Sequence, residues 1–470
     1  MLMGIVFQAK PSNTQKKILS QWIGAAKLIW NAKCSQWKYE RCFCRKYLPI
    51  GTYASIDASY SQFKSKELTP FLYNVPSQIL RNSASNWRDT MQNWKNKEHP
   101  QQGPAKLKKL KSEGSIWLTR ELFNFEKQIN GTINLFIGSK TNNIGILKLN
   151  YHTSDFKEPN SIRIKKRYGK YSVSFCYDDG LSEESLLSDK DNLKILSSYT
   201  EEMLNGCVVG VDRGVSRPVQ CGEKVYDFTI EQKRKKRQKE KYIKRFQKRI
   251  SRQKKCSNRR RKNLSKLSSA HKKISNIRND FCHKTSYAMV NEPQFKVFVF
   301  EDLKTKSMTK RPKAKPNNSG GWDKNNAKSK AGLNKSILDK GWYKLEEYTK
   351  YKSRRACKSF FKVHANYTSQ ECADCGHIHP DNRKSQDKFI CESCGYSENA
   401  DRNASEVIKK RAIKLILHSG TELSKRGVLL DTGRGAKVRR DKPKANRAVA
   451  VKRQKRSEMS LDKVTEAFPL

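Results

Sequence analysis

The order of hydrophobic and polar residues changes twice along the N-terminal half of the chain. The segment "GIVFQAK" alternates like a short strand, and Ile18, Trp22, Ala25, Ile29 and Ala32 then recur at helical spacing, as do apolar residues after Pro76. Residues 115–178 instead form short β-rich runs separated by Gly, Asn and Lys turns. This order predicts a small β-barrel, formed by residues 1–11 and 112–185, that carries a helical insertion over residues 12–111.

The tryptophans of this insertion allow two interpretations. Trp22, Trp87 and Trp94 could stack on nucleic-acid bases, or they could pack in a core. Their 3.6-residue spacing favours the core, because a helix buries the residues of one face.

The C-terminal half contains two apolar strands and a late helix. "CVVGV" runs into Asp212, "FKVFVF" runs into Glu301, and "DRNASEVIKKRAIKLIL" predicts a helix that begins at Asp401. The acidic stretch 186–204 is expected to be a linker, and the polar, basic residues 420–470 a disordered tail. We therefore expect an α+β multidomain protein.

The net charge of the chain indicates the class of molecule that it binds. The chain has 98 Lys and Arg against 45 Asp and Glu, a formal net charge of +53, and 18 of residues 231–262 are Lys or Arg. Such an excess repels itself unless a polyanion is bound, so nucleic acid is the expected partner, although a general bias toward basic residues remains an alternative. The basic stretch itself predicts a helical hairpin whose cations contact successive phosphates of a nucleic-acid backbone.

The chain contains neither a long apolar run nor an N-terminus typical of a signal peptide. These features predict a cytoplasmic protein without a membrane partner, so its 13 cysteines are expected to be thiols or metal ligands.

Four of the cysteines have the spacing of a metal site. Cys372 and Cys375, then Cys391 and Cys394, form two C-x-x-C-G pairs separated by 15 residues. This spacing is typical of a four-cysteine zinc ribbon, predicted over residues 367–397. Four thiolates complete a tetrahedral Zn²⁺ site, so the zinc is expected to be structural; an iron–sulfur cluster is the alternative.

Three acidic residues are candidates for catalysis. Asp212 and Glu301 end buried strands and Asp401 opens a helix, which are costly places for a carboxylate unless it is paired or binds a metal. Structural ion pairs are one explanation. The other is an RNase H-like core, in which such strands and a helix bring carboxylates together around two Mg²⁺ ions.

Five motifs resemble those of the TnpB family of transposon-associated nucleases. They are "GVDRGV", "FVFEDL", "GLNKSILDKGW", "YTSQECADCG" and "FICESCGYSENADRNAS", in the family's order across roughly residues 205–415. The resemblance implies an RNA-guided DNA endonuclease associated with the nucleoid, whose partners are a guide RNA and a double-stranded DNA target.

The resemblance also assigns roles to parts of the chain. It implies a RuvC-like nuclease domain formed by residues 205–366 and 398–419. Asp212, Glu301 and Asp401 would be its catalytic, Mg²⁺-binding residues, and the zinc ribbon would lie beside Asp401.

Three alternatives remain open at this point. The motifs are similar, somewhat less closely, to those of compact type V CRISPR nucleases. A non-catalytic nucleic-acid-binding regulator would keep the ribbon and the basic hairpin, and a guide-independent enzyme such as a resolvase or DDE-type transposase would keep the carboxylates. The oligomeric state is left open.

Overall fold

The computed structural model describes residues 2–96, 103–109, 113–127, 132–139, 142–150, 156–167, 169–180, 187–317, 321–323, 325–424 and 426–431. Its strands are β1 (Leu2–Ala9), β2 (Gly114–Thr119), β3 (Phe123–Lys127), β4 (Thr132–Gly138), β5 (Asn143–Asn150), β6 (Ser161–Arg167), β7 (Lys170–Asp178), β8 (Val208–Asp212), β9 (Val219–Cys221), β10 (Lys224–Tyr226), β11 (Val297–Glu301), β12 (Lys315–Pro316), β13 (Trp322–Asp323), β14 (Ser359–Val363), β15 (Lys388–Ile390), β16 (Ser397–Asn399), β17 (Thr421–Leu423) and β18 (Leu429–Asp431). Its helices are α1 (Asn13–Tyr47), α2 (Ser77–Lys95), α3 (Asp189–Ser197), α4 (Glu201–Cys207), α5 (Ile230–Ser251), α6 (Asn258–Val290), α7 (Thr305–Met308), α8 (Ala327–Lys340), α9 (Trp342–Arg355) and α10 (Ala400–Leu417).

The chain divides into two compact units that are interleaved in sequence. The first consists of Met1–Ser188, Arg213–Pro293 and Lys304–Ser359, and the second of Asp189–Asp212, Gln294–Leu303 and Phe360–Leu470. Every candidate site residue named above belongs to the second unit.

In the first unit, the described residues form an antiparallel sheet of seven strands in the order β2-β6-β7-β1-β5-β4-β3. Alternation on β1 buries Ile5, Phe7 and Ala9 and leaves Val6 exposed. The edge strands β2 and β3 are joined by a single 3₁₀ turn, Arg120–Leu122. Because so short a connection keeps the two edges near each other, the sheet must curl on itself.

Helices α1 and α2 follow β1 and pack their apolar faces into the core of this sheet. A capping box formed by Ser12 and Gln15 starts α1. Trp22, Ile23 and Ile79 are among the residues that join the core. The periodic tryptophans Trp22 and Trp87 are buried, as their spacing predicts.

The basic stretch forms a hairpin of α5 and α6, with a second helix longer than predicted. Ile243 of α5 packs with Ala270 and Ile274 of α6, so a narrow apolar stripe holds the two helices together. Most other α5 side chains are exposed, which leaves a dense array of cations in solvent.

The second unit is built on the neighbouring strands β8, β11 and β14. The helix α10 packs on them through Ile408, Ala412 and Ile416, against Val208, Val299 and Phe361 among others. The predicted linker over residues 186–204 is wrong, because residues 189–207 form α3 and α4. Leu193 and Leu196 share one face of α3, and they and Leu204 of α4 are buried in this same core.

The predicted disordered tail starts too early. Thr421–Leu423 and Leu429–Asp431 pair as an antiparallel hairpin, and Leu429 is completely buried in the core of the second unit. Burial of Leu429 orders residues 421–431, which their polar composition had predicted to be disordered. Residues 432–470 of that prediction lie outside the described residues.

Within the described residues, no helix combines the length and hydrophobicity needed to span a membrane.

Candidate active site and metal centre

Strands β8 and β11 run parallel and end in carboxylates at the same edge. Val297 pairs with Val208 and Phe300 with Val211, so the next position along the register sets Glu301 beside Asp212. Both strands are almost wholly buried apolar residues up to these positions. Parallel strands align their carboxyl ends, and the two acids therefore share one edge of the sheet.

Strand alternation directs both acids to the face covered by α10. Val208 on β8 and Val297 and Val299 on β11 pack in the core with α10. Since side chains two residues apart share a face, Asp212 and Glu301 lie on this face as well. The side chain of Asp212 is partly exposed, whereas Glu301 is only 6% exposed.

Gly210 brings α10 into direct contact with β8. The Ser405 hydroxyl donates a hydrogen bond of 2.8 Å to the Gly210 carbonyl. A Cβ at Gly210 would lie 2.0 Å from the Ser405 carbonyl oxygen and 2.9 Å from the Lys409 nitrogen, so only glycine permits this approach. Backbone packing therefore sets the position of α10 along the strand.

Asp401 is the second residue of α10 and lies one turn before Ser405, on the same side of the helix. The Asn399 side chain caps the helix by accepting from the Asp401 and Arg402 N–H groups. Ile408 and Ala412 pack beside the start of β8, so the N-terminal turn of α10 points toward the end where Asp212 lies. Asp401 is 4% exposed, and Arg383 lies 3.4 Å from its Oδ1.

Glu301 and its neighbour Asp302 have different surroundings. The Thr368 hydroxyl donates to Oε1 of Glu301, and both residues are buried. Asp302 forms ion pairs with Arg426 at 3.1 Å and with Lys362 at 3.9 Å. Adjacent residues of a strand point to opposite faces, which accounts for these separate partners.

The four cysteines predicted as zinc ligands are brought together. Sγ of Cys372 lies 3.7 Å from that of Cys394, and Sγ of Cys375 lies 3.6 Å from that of Cys391. Four sulfurs about 2.3 Å from a tetrahedral Zn²⁺ ion are about 3.8 Å apart, so the arrangement fits zinc. Gly376 and Gly395 have φ of 75° and 74° and close the two knuckles.

The four thiols of this centre shift one another's pKa values. Burial acts to raise the pKa of Cys391, but N–H groups of Cys394 and Ser393 and neighbouring thiols lower it to about 7. The Tyr396 N–H acts to lower the pKa of Cys394, whereas burial and the other three thiols raise it to about 12. Neighbouring thiolates repel one another, so a divalent cation bound between the four sulfurs would favour their deprotonated form.

The ribbon is fastened to α10 by Asn403, which is completely buried. Its Oδ1 accepts from the Ala373 N–H at 2.9 Å, and its Nδ2 donates to the Glu371 carbonyl at 2.8 Å. Inside the ribbon, the buried Asn382 donates to the carbonyls of Gln370 and His377 and accepts from the Glu392 N–H.

Thr368, Arg383, Asn382 and Asn403 were not found from the sequence, because each is a single polar residue without a spacing pattern. Across the described ranges, only the four cysteines bring three or more potential ligand atoms within 4.8 Å of one another. Asp212 and Glu301 share a strand edge, but with Asp401 they are not clustered as tightly as these sulfurs.

These features define a mixed α/β multidomain protein with carboxylates at one strand edge and a separate four-cysteine centre. Residues 189–312 match the family model described as "Probable transposase", and residues 342–408 match "Cas12f1-like, TNB domain".

Curated relatives match over most of the chain. It is 26% identical over 446 residues to a protein of Escherichia coli (strain K12) named "Putative RNA-guided DNA endonuclease InsQ", covering 93% of this chain and 96% of that protein. It is 23% identical over 408 residues to a protein of Streptomyces pristinaespiralis with the same description apart from InsQ, covering 85% and 86%. These matches confirm the family resemblance identified from the motifs.

The fold is similar to that of a Cas12f1 chain solved by cryo-electron microscopy in a complex with sgRNA and target DNA. The TM-score is 0.50 at 13% identity, and the match covers 85% of this chain and 83% of that chain. At this identity the likeness supports the mixed α/β, multidomain architecture alone.

Proposed function

We propose that this protein is an RNA-guided DNA endonuclease of the TnpB type, which cuts a double-stranded DNA target after the target pairs with a guide RNA. The observation that carries the proposal is that Asp212 and Glu301 end neighbouring parallel strands on the face that α10 covers, while Asp401 lies in the first turn of α10. The names of the two relatives that match over most of the chain support the same activity.

We assign the three acids as the ligands of two catalytic Mg²⁺ ions. Carboxylate oxygens are the hard ligands that Mg²⁺ prefers, and two of the three carboxylates are almost fully buried, which favours binding of cations. Bound Mg²⁺ would activate the attacking water and stabilise the leaving oxygen of the phosphodiester. Within the chain, Thr368 orients Glu301, and the close packing at Gly210 holds Asp401 near the strand ends.

We assign the four cysteines to a structural Zn²⁺ ion. Because four thiolates fill the tetrahedral positions, such a site has no position for a reacting water. The contribution of the ribbon to catalysis would be mechanical: Thr368 contacts Glu301, Arg383 contacts Asp401, and Asn403 ties the ribbon to α10.

The remaining parts of the chain are assigned by the same proposal. Strands β8, β11 and β14 with α10 would form the core of an RNase H-like, RuvC-type domain. The curled sheet would be a wedge-like barrel, with α1 and α2 as its recognition insertion. The exposed cations of α5 would follow the phosphates of guide RNA and target, while base pairing supplies the sequence specificity. We place the protein in the cytoplasm, on the nucleoid.

The test is guided cleavage by protein purified from cells that carry its native locus. We expect a co-purified RNA with a constant scaffold and a variable 3′ segment, and cutting of a matching duplex in Mg²⁺ that RNase, EDTA or Asp212→Asn abolishes. Cutting that survives RNase would indicate a guide-independent nuclease, and binding without cutting would indicate a regulator. Transposon ends beside the gene, as opposed to a CRISPR array, would separate a TnpB protein from a compact type V effector.

A further inference from the structure

The helical insertion contains a cavity of about 620 Å³. Its walls are the C-terminal part of α1, residues 48–56, and the end of α2. A volume of this size is within the roughly 300–1,000 Å³ range of pockets that hold small organic molecules. It lies wholly in the first unit, whereas Asp212, Glu301 and Asp401 belong to the second.

The walls of this cavity, which we call the insertion pocket, are aromatic and partly open to solvent. Trp94 meets the buried Trp37 edge to face, with ring centroids 5.9 Å apart. Tyr53 is 80% exposed and Ile50 is fully exposed. Trp94 therefore differs from the other periodic tryptophans, because it lines an open cavity as well as packing against the core.

The insertion pocket also carries only positive charge. Arg41, Arg45 and Lys95 line it, and none of its described lining residues is acidic. The Arg41 guanidinium lies 5.3 Å from the Trp37 ring centre and the Lys95 ammonium 5.7 Å from that of Tyr53. Aromatic surface bordered by cations complements a flat ring attached to a phosphate.

We propose that the insertion pocket binds an unpaired base of a bound nucleic-acid strand, with the base against Tyr53 and Trp94 and the flanking phosphates beside Arg41, Arg45 and Lys95. The inference rests on the proposed function, which supplies single-stranded nucleic acid, and adds a base-binding site to it. A second copy of the chain is a poorer occupant, because a symmetric pairing at this surface would set the cations of one pocket against those of the other.

Photo-crosslinking would locate the base. Full-length protein, freed of bound nucleic acid at high salt, is mixed with single strands of RNA or DNA that carry 5-iodouracil. Crosslinks to Tyr53 or Trp94 support the proposal, and the strand that reacts identifies its source as RNA or DNA. Crosslinks confined to other segments would overturn it.

Affinity measurements separate stacking from charge. Tyr53→Ala should weaken binding of a normal strand about tenfold, as expected for one lost stacking contact, and leave binding of an abasic strand of the same length unchanged. Tyr39→Ala is the matched control, because Tyr39 is a 73% exposed tyrosine of α1 outside the pocket lining. Equal effects of the two substitutions would contradict the inference.

Light scattering tests whether a second copy of the chain occupies the insertion pocket. If the wild-type protein is a dimer and Tyr53→Ala dissociates it, a second copy of the chain occupies the pocket and the proposal is overturned. If the wild type and Tyr53→Ala are both monomers, the proposal is supported. Guided cleavage is measured separately. Guided cleavage without any crosslink to the pocket would contradict this inference alone. Crosslinking at Tyr53 without guided cleavage would contradict the proposed nuclease activity and leave a base-binding protein.

Discussion

The hydroxyl of Thr368 donates a hydrogen bond to Oε1 of Glu301, across 67 residues of sequence. Thr368 lies four residues before Cys372, so the contact joins the segment entering the zinc ribbon to the end of a central strand. A hydrogen bond to one carboxylate oxygen restricts the orientation of the whole Glu301 carboxylate. The segment entering the ribbon therefore contacts Glu301 directly, as Arg383 of the ribbon contacts Asp401.

We predict that Thr368→Val lowers the rate of target cleavage by about 10- to 100-fold, because a hydrogen bond to a charged group contributes roughly 1.5–3 kcal/mol. The Mg²⁺ concentration giving half-maximal cleavage should rise as well, since Glu301 loses its orientation. Rates measured across a Mg²⁺ titration test both effects. Thr368→Ser keeps the hydroxyl and should restore the wild-type titration; an unchanged Mg²⁺ dependence in Thr368→Val would assign Thr368 a purely structural role.

Glu301 and Asp302 should respond differently to loss of their charge. Glu301→Gln is expected to abolish cleavage, because it removes a proposed metal ligand, and to leave the fold intact. Asp302→Asn should retain most activity and lower the free energy of unfolding by about 1–3 kcal/mol, because Arg426 and Lys362 lose their partner.

Single-turnover cleavage and urea unfolding of the two variants make this comparison. The result that would reverse the assignment is inactive Asp302→Asn alongside active Glu301→Gln.

Gly210→Ala should destabilise the second unit by about 3 kcal/mol or more. The added Cβ would meet the Ser405 and Lys409 backbone, which cannot move without shifting α10. Gly206→Ala is a suitable control, because nothing lies within 4 Å of a Cβ there and alanine favours the helix α4.

Chemical denaturation of both glycine variants measures the difference. Equal stabilities would mean that α10 does not approach β8 as closely as the structure describes.

Removal of the proposed zinc should loosen the ribbon. We expect Cys391→Ser to lose its bound zinc and to lower the melting temperature by several degrees, because the metal holds both knuckles and Asn403 ties them to α10. Metal analysis of the purified protein and thermal unfolding test this. Cys42→Ser, at an exposed cysteine remote in sequence, is expected to behave as wild type. Full zinc content in Cys391→Ser would exclude Cys391 as a ligand.

The features predicted correctly from the sequence are those with a local pattern. The runs ending at Asp212 and Glu301 are continuously apolar, and the cysteine pairs have fixed spacing, so each element can be identified without its partners. The catalytic roles of Asp212, Glu301 and Asp401 stay predictions, because geometry alone does not report a reaction.

The features that were missed depend on distant contacts. Thr368, Arg383 and Asn403 acquire their significance only when the ribbon folds against β11 and α10. The polar segments 189–207 and 421–431 are ordered by a few leucines that find a distant core. No window of the sequence around these residues reveals that core.

The order of the three carboxylates along the chain has a consequence for biosynthesis. Asp401 is translated roughly 190 residues after Asp212, which at about 5–20 residues per second means a delay of about 10–40 s. The cationic hairpin α5–α6 is complete well before then. Under the proposed function, a nascent chain would therefore present its cationic hairpin to RNA before the last of its three proposed metal ligands is translated.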